Sequence, residues 1–357
     1  MALVLIGFMG AGKSTAAREL AAALGGEALD SDELLAERFG HSVAREFDLH
    51  GEAAFRASEE RLVCELLDDG ERAGANAVIA LGGGSVLSER VRAALRGHLV
   101  VWLDVDAETA WERVHDRPGE RPLARDRDAF AALHAQRQKL YEERADAFLP
   151  ALAPGAVARV LPALHALIEA PSGTRLLWAG AASGEYPVFV GRGLLGEDRL
   201  AGIWPLDRAA SRPFCVTDET VAALYGDRLG ELARAIAIAP GERHKTLASA
   251  ELVWEQLVAG GMTRADHVVA LGGGVVGDLA GFCAATYQRG VPVVQIPTTL
   301  VAQVDSAYGG KTGVDLPAAK LYVGAYHQPA GVLVDPDTLA TLPAVELAAG
   351  WVEVLKT

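Results

Sequence analysis

Gly7, Gly12, Lys13 and Ser14, in the stretch GFMGAGKST (7–15), fit the spacing G-x-x-x-x-G-K-[ST]. The chemistry this suits is phosphate binding. Glycines let the backbone curl until successive N–H groups point at one centre, where an anion can sit. A helix opening at the loop adds the partial positive charge of its N-terminus. Lys13 can reach the outer phosphates, and the Ser14 hydroxyl can join a Mg2+ shell. The pattern needs a strand before it and a helix after it, and ALVLIGF (2–8) and Lys13–Leu24 read as those elements.

A phosphate cradle does not choose a reaction. LDSDE (29–33) sets Asp30 and Asp32 alternately at a strand end. One carboxylate could hold the metal shell while the other takes or orients the proton of an acceptor hydroxyl. The same residues also suit a helix N-cap ahead of Glu33, and both readings stand. Arg56 and Glu59 lie three apart, hence on one helix face, and spacing alone reads as a surface ion pair.

Two glycine triplets follow apolar runs, LGGGSV (81–86) and LGGGVVGD (271–278). The second fits G-x-G-x-x-G through Gly272, Gly274 and Gly277. The first has Leu87 where the third glycine would fall, and no other landmark repeats at that offset, so duplication is not inferred. The second triplet could seat a dinucleotide pyrophosphate, or only let a helix pack closely on a strand. The acid expected about 20 residues later for a ribose is missing, since QIPTT (295–299) occupies that region, and a standard dehydrogenase domain fits poorly.

These residues need elements to position them. The chain has 357 residues, enough for two domains, and half of them are apolar. Its net charge of −14, with no Lys/Arg cluster, argues against nucleic acid as a partner. No uncharged apolar run reaches membrane-spanning length, and MALVLIGFMG lacks a basic segment before its apolar run, so it reads as a buried strand rather than a signal peptide. Cys64, Cys215 and Cys283 lie far apart and form no CxxC, which points to a reducing cytoplasm.

The first half alternates strands (NAVIAL, LVVWLDV) with helices (52–67, 89–95, 108–117, 130–148). A charged, turn-rich loop runs over 118–128, and its Gly- and charge-rich part at 118–127 suits a lid. The pattern loosens over 149–173, where a last strand and helix fit, and APSGT (170–174) reads as a linker. TRLLWAG and YPVFVGRGLL then restart a strand–helix alternation that is expected to run to residue 357. The expected fold class is α/β: a P-loop NTPase-type parallel-sheet domain, then a Rossmann-like α/β domain.

GFMGAGKST, DSD, GEAAFR, LGGGSV, ERPL and RQKLYEERA occur in an order that resembles the shikimate kinases, over residues 1–168. The resemblance implies ATP and Mg2+ contacts from Gly10, Ala11, Gly12, Lys13, Ser14 and Thr15, with Asp30 near the metal. It implies that Asp32 grips the shikimate hydroxyls, that Arg56 and Arg137 clamp its carboxylate, that Glu59 holds Arg56, and that Gly82, Gly83 and Gly84 lie against it. Arg121 resembles the lid arginine that closes over the phosphates, and Arg117 the residue beside the adenine. A gluconate kinase-like enzyme is the nearest alternative.

After a linker at 169–174, residues 175–357 resemble the 3-dehydroquinate synthases through VTDETV, PGERHKT, GGGVVGD, ATYQRG, IPTTLVAQVDSAYGGKTGVD, GAYHQP and WVEVLK. Implied NAD contacts are Asp218, Glu242, Lys245, Gly273, Gly274, Asp278, Thr298 and Thr299. Implied substrate contacts are Asp305, Lys311, Lys320 and Lys356, with Arg289 reaching the site of a second subunit in a homodimer. Glu353 resembles a ligand of the catalytic Zn2+. Two departures stand out. Leu321 replaces the family's usual asparagine, and the family continues into a helical domain, with two histidine zinc ligands, that this sequence does not contain. The expectation is a kinase fused to a synthase module that binds NAD, has an incomplete zinc site and exposes apolar surface near residue 357, without synthase turnover. A nucleotide-binding module without catalysis is the alternative for this half. A glycerol dehydrogenase-like enzyme shares the glycine turn but would not predict VDSAYGGKTG.

Overall fold

LVLI, AVIA and LVVWLD are runs too short for helices, and each becomes a strand with nearly every side chain buried. The computed structural model describes residues 1–73, 76–115, 126–150, 155–181 and 183–356, and it divides into two units, Met1–Ile168 and Glu169–Thr357.

The first unit runs β1 (Leu3–Ile6), α1 (Lys13–Leu24), β2 (Glu27–Asp30), α2 (Ser31–Phe39), α3 (Val43–Ala73), β3 (Ala77–Ala80), α4 (Glu89–Ala94), β4 (Leu99–Asp104), α5 (Ala107–His115), α6 (Arg127–Arg144), β5 (Ala147–Pro150) and α7 (Val157–Glu169). The strands pair in the order β2-β3-β1-β4-β5, all parallel. The loops that follow β1, β2 and β3 therefore leave from one edge of the sheet. These are the segments carrying Lys13, Asp32 and the first glycine triplet, and that edge is where parallel sheets bind ligands. Helix α3 breaks at Gly51 (φ 79°), and its second part carries Arg56 above a cluster of Leu35, Phe55 and Leu62.

The helix expected over 130–148 is shorter. It begins at Arg127 and ends at Arg144, because Ala145 is extended and the Asp146 carboxylate accepts the Val100 N–H at 2.9 Å. That bond draws the chain into the sheet, and Ala147–Pro150 pairs with β4.

The second unit runs β6 (Arg175–Ala181), β7 (Gly184–Val190), α8 (Glu197–Ile203), β8 (Pro213–Asp218), α9 (Glu219–Tyr225), β9 (Arg234–Ile238), α10 (Leu247–Ala259), β10 (His267–Gly272), α11 (Gly274–Thr286), β11 (Val293–Pro297), β12 (Lys311–Leu316), β13 (Ala319–Tyr326), β14 (Gly331–Val334) and α12 (Ala344–Lys356). Strands β7-β14-β11-β10-β8-β9 are parallel neighbours. The expected alternation is interrupted twice, because β6 pairs antiparallel with β7 and β12 with β13. KTGVDL and AKLYVGAY carry β-branched and aromatic residues about a short turn, which favours a hairpin over a helix. Helix α11 is largely buried, and its small residues allow close approach: a Cβ on Gly281 would lie 2.4 Å from Thr312 Cγ2.

His267 sits fully buried at the start of β10. Trp204 Nε1 donates to its Nε2 at 3.1 Å, which leaves Nδ1 to donate to Ser211 Oγ at 2.8 Å. Burial first, and then the charge of Arg208, lower its pKa from 6.5 to about 4, against the pull of Asp266. A depressed pKa favours the neutral ring, so this contribution is complete above pH 6.5 and is lost as pH falls from 6.5 to 4. It amounts to about 3 kcal/mol. Thermal unfolding of the second unit should weaken across that window more steeply in the wild type than in His267→Gln. Parallel pH profiles would contradict the assignment.

Candidate active sites of the two units

Gly7, Gly10 and Gly12 take φ of 144°, 85° and 89°, backbone that side chains rarely adopt. A Cβ on Gly10 would also lie 2.6 Å from the Ala110 carbonyl oxygen, so the loop is pressed on α5. Helix α1 starts at Lys13 with no side-chain cap, leaving its first N–H groups to a ligand. Lys13 Nζ folds back on the carbonyls of Gly7 (2.9 Å) and Phe8 (3.0 Å). Gly10, Gly12, Lys13, Ser14, Thr15, Asp30, Asp32 and Gly83 line one cleft, while Ala11 is buried within the loop. Arg113, which sequence reasoning passed over, lines the same cleft and donates to the Gly10 carbonyl at 3.4 Å. Arg117 and Arg121 lie outside the described residues.

Asp30 is the helix cap that one of its two readings expects. Its Oδ1 accepts the N–H groups of Asp32 (2.9 Å) and Glu33 (3.4 Å) as the cap of α2, and the residue still faces the cleft. Between the two acids, Ser31 is fully buried and its Oγ accepts the Gly82 N–H at 2.8 Å. The acidic turn and the glycine turn are thereby tied together.

Arg56 and Glu59 are more than the surface pair that spacing suggests. Glu59 is 2% exposed, and it holds Arg56 Nη1 at 2.6 Å while accepting from Ser85 Oγ at 2.8 Å. The Arg56 guanidinium stacks near Phe55 and Phe47 and lies against Gly84, where a Cβ would sit 2.1 Å from Nη1. A Cβ on Gly82 would meet Asp32 Oδ1 at 2.6 Å. From α6, Arg137 is 3% exposed and donates through Nη1 to the Gly83 carbonyl at 3.1 Å. Its Nε is buried without a hydrogen-bond partner among the described residues. Two guanidinium groups thus flank the Gly83–Gly84 peptide, an arrangement suited to a carboxylate. Tyr141 also donates to the Gly83 carbonyl, at 2.5 Å, and its place one turn beyond Arg137 was the sequence signal available for it.

In the second unit, Lys245 is 5% exposed. Its Nζ meets Asp278 and Glu242 at 3.2 Å each and Asp315 at 4.0 Å, and Lys320 reaches Glu242 at 3.6 Å. Burial opposes the charge on Lys245, but Asp278 and Glu242 outweigh it and its pKa is raised. At Asp278 burial dominates over Lys245, and that pKa is raised too. Lys311 and Asp278 border one cavity under the β12–β13 hairpin. Helix α11 begins after Gly273 without a side-chain cap. The Thr299 methyl would lie 2.8 Å from a Cβ on Gly273, and Ser306 Oγ 3.0 Å from one on Gly274. Thr298 is buried, its N–H on the Gly272 carbonyl at 2.9 Å.

Asp218 caps α9 through Thr220 and Val221. Arg289 (φ 67°) follows the far end of α11, a helix of 13 residues and so about 20 Å from its start. Lys356 pairs with Glu353 at 2.7 Å and feels the charge of Asp305, which lies in a π-helical turn. Among the described residues no three His, Cys, Asp or Glu gather to hold a metal, around Glu353 or elsewhere. Leu321 is exposed with φ 63°, a backbone region that asparagine takes far more readily, and its N–H donates to Asp315.

Residues 9–154 match the family model described as shikimate kinase, and residues 235–349 the one described as 3-dehydroquinate synthase N-terminal. A 3-dehydroquinate synthase of Halorhodospira halophila is 49% identical over 185 residues, 51% of this chain and 51% of that protein. One from Methylococcus capsulatus is 50% identical over 48% of each chain. The chain spans about half the length of the curated relatives it matches. Among solved structures, a shikimate kinase from Acinetobacter baumannii in complex with shikimate is 32% identical and covers 45% of this chain and 87% of its own, at a TM-score of 0.40. The 2-epi-5-epi-valiolone synthase ValA from Streptomyces hygroscopicus subsp. jinggangensis, with NAD+ and Zn2+ bound, is 34% identical over 50% of each chain, at 0.45. The first unit is a shikimate kinase domain, and the second carries the N-terminal domain of the 3-dehydroquinate synthases.

Proposed function

We propose that the first unit transfers the γ-phosphoryl group of ATP to a hydroxyl of shikimate, and that the second binds NAD. One observation carries the first reading. The two guanidinium groups flank a peptide whose Gly83 lines the same cleft as Lys13 and Ser14. The carboxylate grip and the phosphate cradle therefore share a wall.

In this reading the N–H groups of Gly10–Thr15 and the Lys13 ammonium hold the phosphates, and Arg56 and Arg137 bind the carboxylate. Glycines 82–84 make room for the ring. Ser14 and Asp30 would hold a Mg2+ ion, which neutralises phosphate charge when bound. Asp32 orients the acceptor hydroxyl and receives its proton as the new O–P bond forms and the bond to ADP breaks. Arg121 closing over the phosphates and Arg117 beside the adenine belong to the same proposal. Holding two reactants in line is most of the catalysis such a transfer needs.

For the second unit, the N–H groups at the start of α11 (Gly273, Gly274) take the pyrophosphate of NAD. Asp218, Glu242, Lys245, Asp278, Thr298 and Thr299 complete its site. Asp305, Lys311, Lys320 and Lys356 face the substrate, and Arg289 serves a second subunit of a homodimer. We place the protein in the cytoplasm.

Purified chain given ATP and Mg2+ should release ADP in proportion to added shikimate. Release that shikimate does not change would overturn the kinase reading. Asp32→Asn should slow that release by at least about 100-fold, the usual scale for losing a proton acceptor. Turnover within about twofold of wild type would remove Asp32 from its role. Calorimetry with NAD should show binding that Lys245→Ala weakens. Equal heats from both proteins would free Lys245 of the assignment.

A further inference from the structure

We propose that Tyr141 is a positioning residue of the kinase site: its hydroxyl fixes the plane of the Gly83–Gly84 peptide, and so the spacing of the two guanidinium groups that take the acceptor carboxylate. This rests on the reading of the first unit given above.

Tyr141 lies four residues after Arg137 on α6, so both project from one face. Both donate to the Gly83 carbonyl, the hydroxyl at 2.5 Å and Arg137 Nη1 at 3.1 Å. A carbonyl oxygen has two lone pairs, and these two donors fill them. In a peptide unit the carbonyl, the next N–H and the next Cα share a plane. Fixing Gly83 O therefore fixes Gly84 Cα, and against that atom rests the guanidinium of Arg56. The peptide is a spacer with one arginine on each side.

Arg137 alone would hold the spacer poorly. Its charge is drawn to an incoming carboxylate, and its buried Nε is still without a partner among the described residues. When the guanidinium turns toward the anion, the tyrosine hydroxyl keeps the carbonyl in place. That hydroxyl is a dependable donor, since burial pushes its pKa up to about 12 despite the opposing charge of Arg137. Its ring is 1% exposed and packs near Trp102, 6.1 Å between centroids. The neighbouring glycines are anchored from other sides, Gly82 by Ser31 and the turn after Gly84 by the Ser85–Glu59 bond. The middle of the triplet is held from α6.

Tyr141→Phe removes the hydroxyl and keeps the ring. The KM for shikimate should rise about 3- to 10-fold, the scale of one hydrogen bond, with a smaller change in kcat and an unchanged KM for ATP. Without any ligand, amide exchange over residues 82–85 should quicken. Tyr225→Phe is the control for losing a buried hydroxyl, since Tyr225 donates to the Thr338 carbonyl at 3.0 Å in the second unit. It should lower stability and leave the shikimate KM alone. An unchanged shikimate KM in Tyr141→Phe, or an equal rise in both KM values, overturns the proposal. Should that variant fail to fold, Gly84→Ala pushes on the same peptide from the Arg56 side, and an unchanged shikimate KM there overturns the spacer. If the wild type shows no shikimate-dependent turnover, the functional reading falls, and exchange alone then decides whether Tyr141 holds the peptide.

Discussion

A parallel strand that ends in glycines leaves backbone N–H and C=O groups with no ladder to join, all at one edge of the sheet. Something must satisfy them. In the first unit the answer is divided. The loop after β1 leaves its N–H groups toward the cleft, while the turn after β3 is tied down by side chains: Ser31 at the Gly82 N–H, Tyr141 and Arg137 at the Gly83 carbonyl. One glycine turn is left open to a ligand and the other is made rigid, so that charged groups can rest on it.

The same constraint explains why two near-identical triplets are not copies. After β3 the chain makes a short 3-10 turn before α4; Gly82 and Gly84 are pressed by charged side chains from other elements, and Gly83 by the backbone of the loop after β1. After β10 the helix starts at Gly274 itself, and the glycines further along α11 admit Gln295 and Thr312. In the first case glycine makes room for guanidinium and carboxylate groups. In the second it makes an uncapped helix start and the tight helix–sheet contact of the bland reading.

Much of this was legible in the sequence. Helix α1 runs Lys13–Leu24 as read, because a strand, a glycine loop and a good helix former in succession leave little choice. The residues around Lys13, Asp32, Arg56 and Arg137 do share one region. What was not legible depended on contacts between distant segments. The end of α6 is set by the Asp146 carboxylate capturing Val100, which no local pattern records. The buried state of Glu59 depends on Ser85, 26 residues away, so i, i+3 spacing could only suggest an exposed pair. Ser31 and Asp315 look like ordinary turn residues until the elements they bridge are placed.

A buried Arg137 and a half-buried Arg56 flank one glycine turn in a chain of net charge −14, an arrangement suited to a small anion. The most direct measurement is calorimetric titration of the chain with shikimate and with its methyl ester, which keeps the ring and hydroxyls but removes the negative charge. Hydrogen bonds to charged groups are worth about 1.5–3 kcal/mol, so the acid should bind at least about tenfold more tightly than the ester. Equal affinities would contradict the carboxylate grip on which the account of the first unit stands.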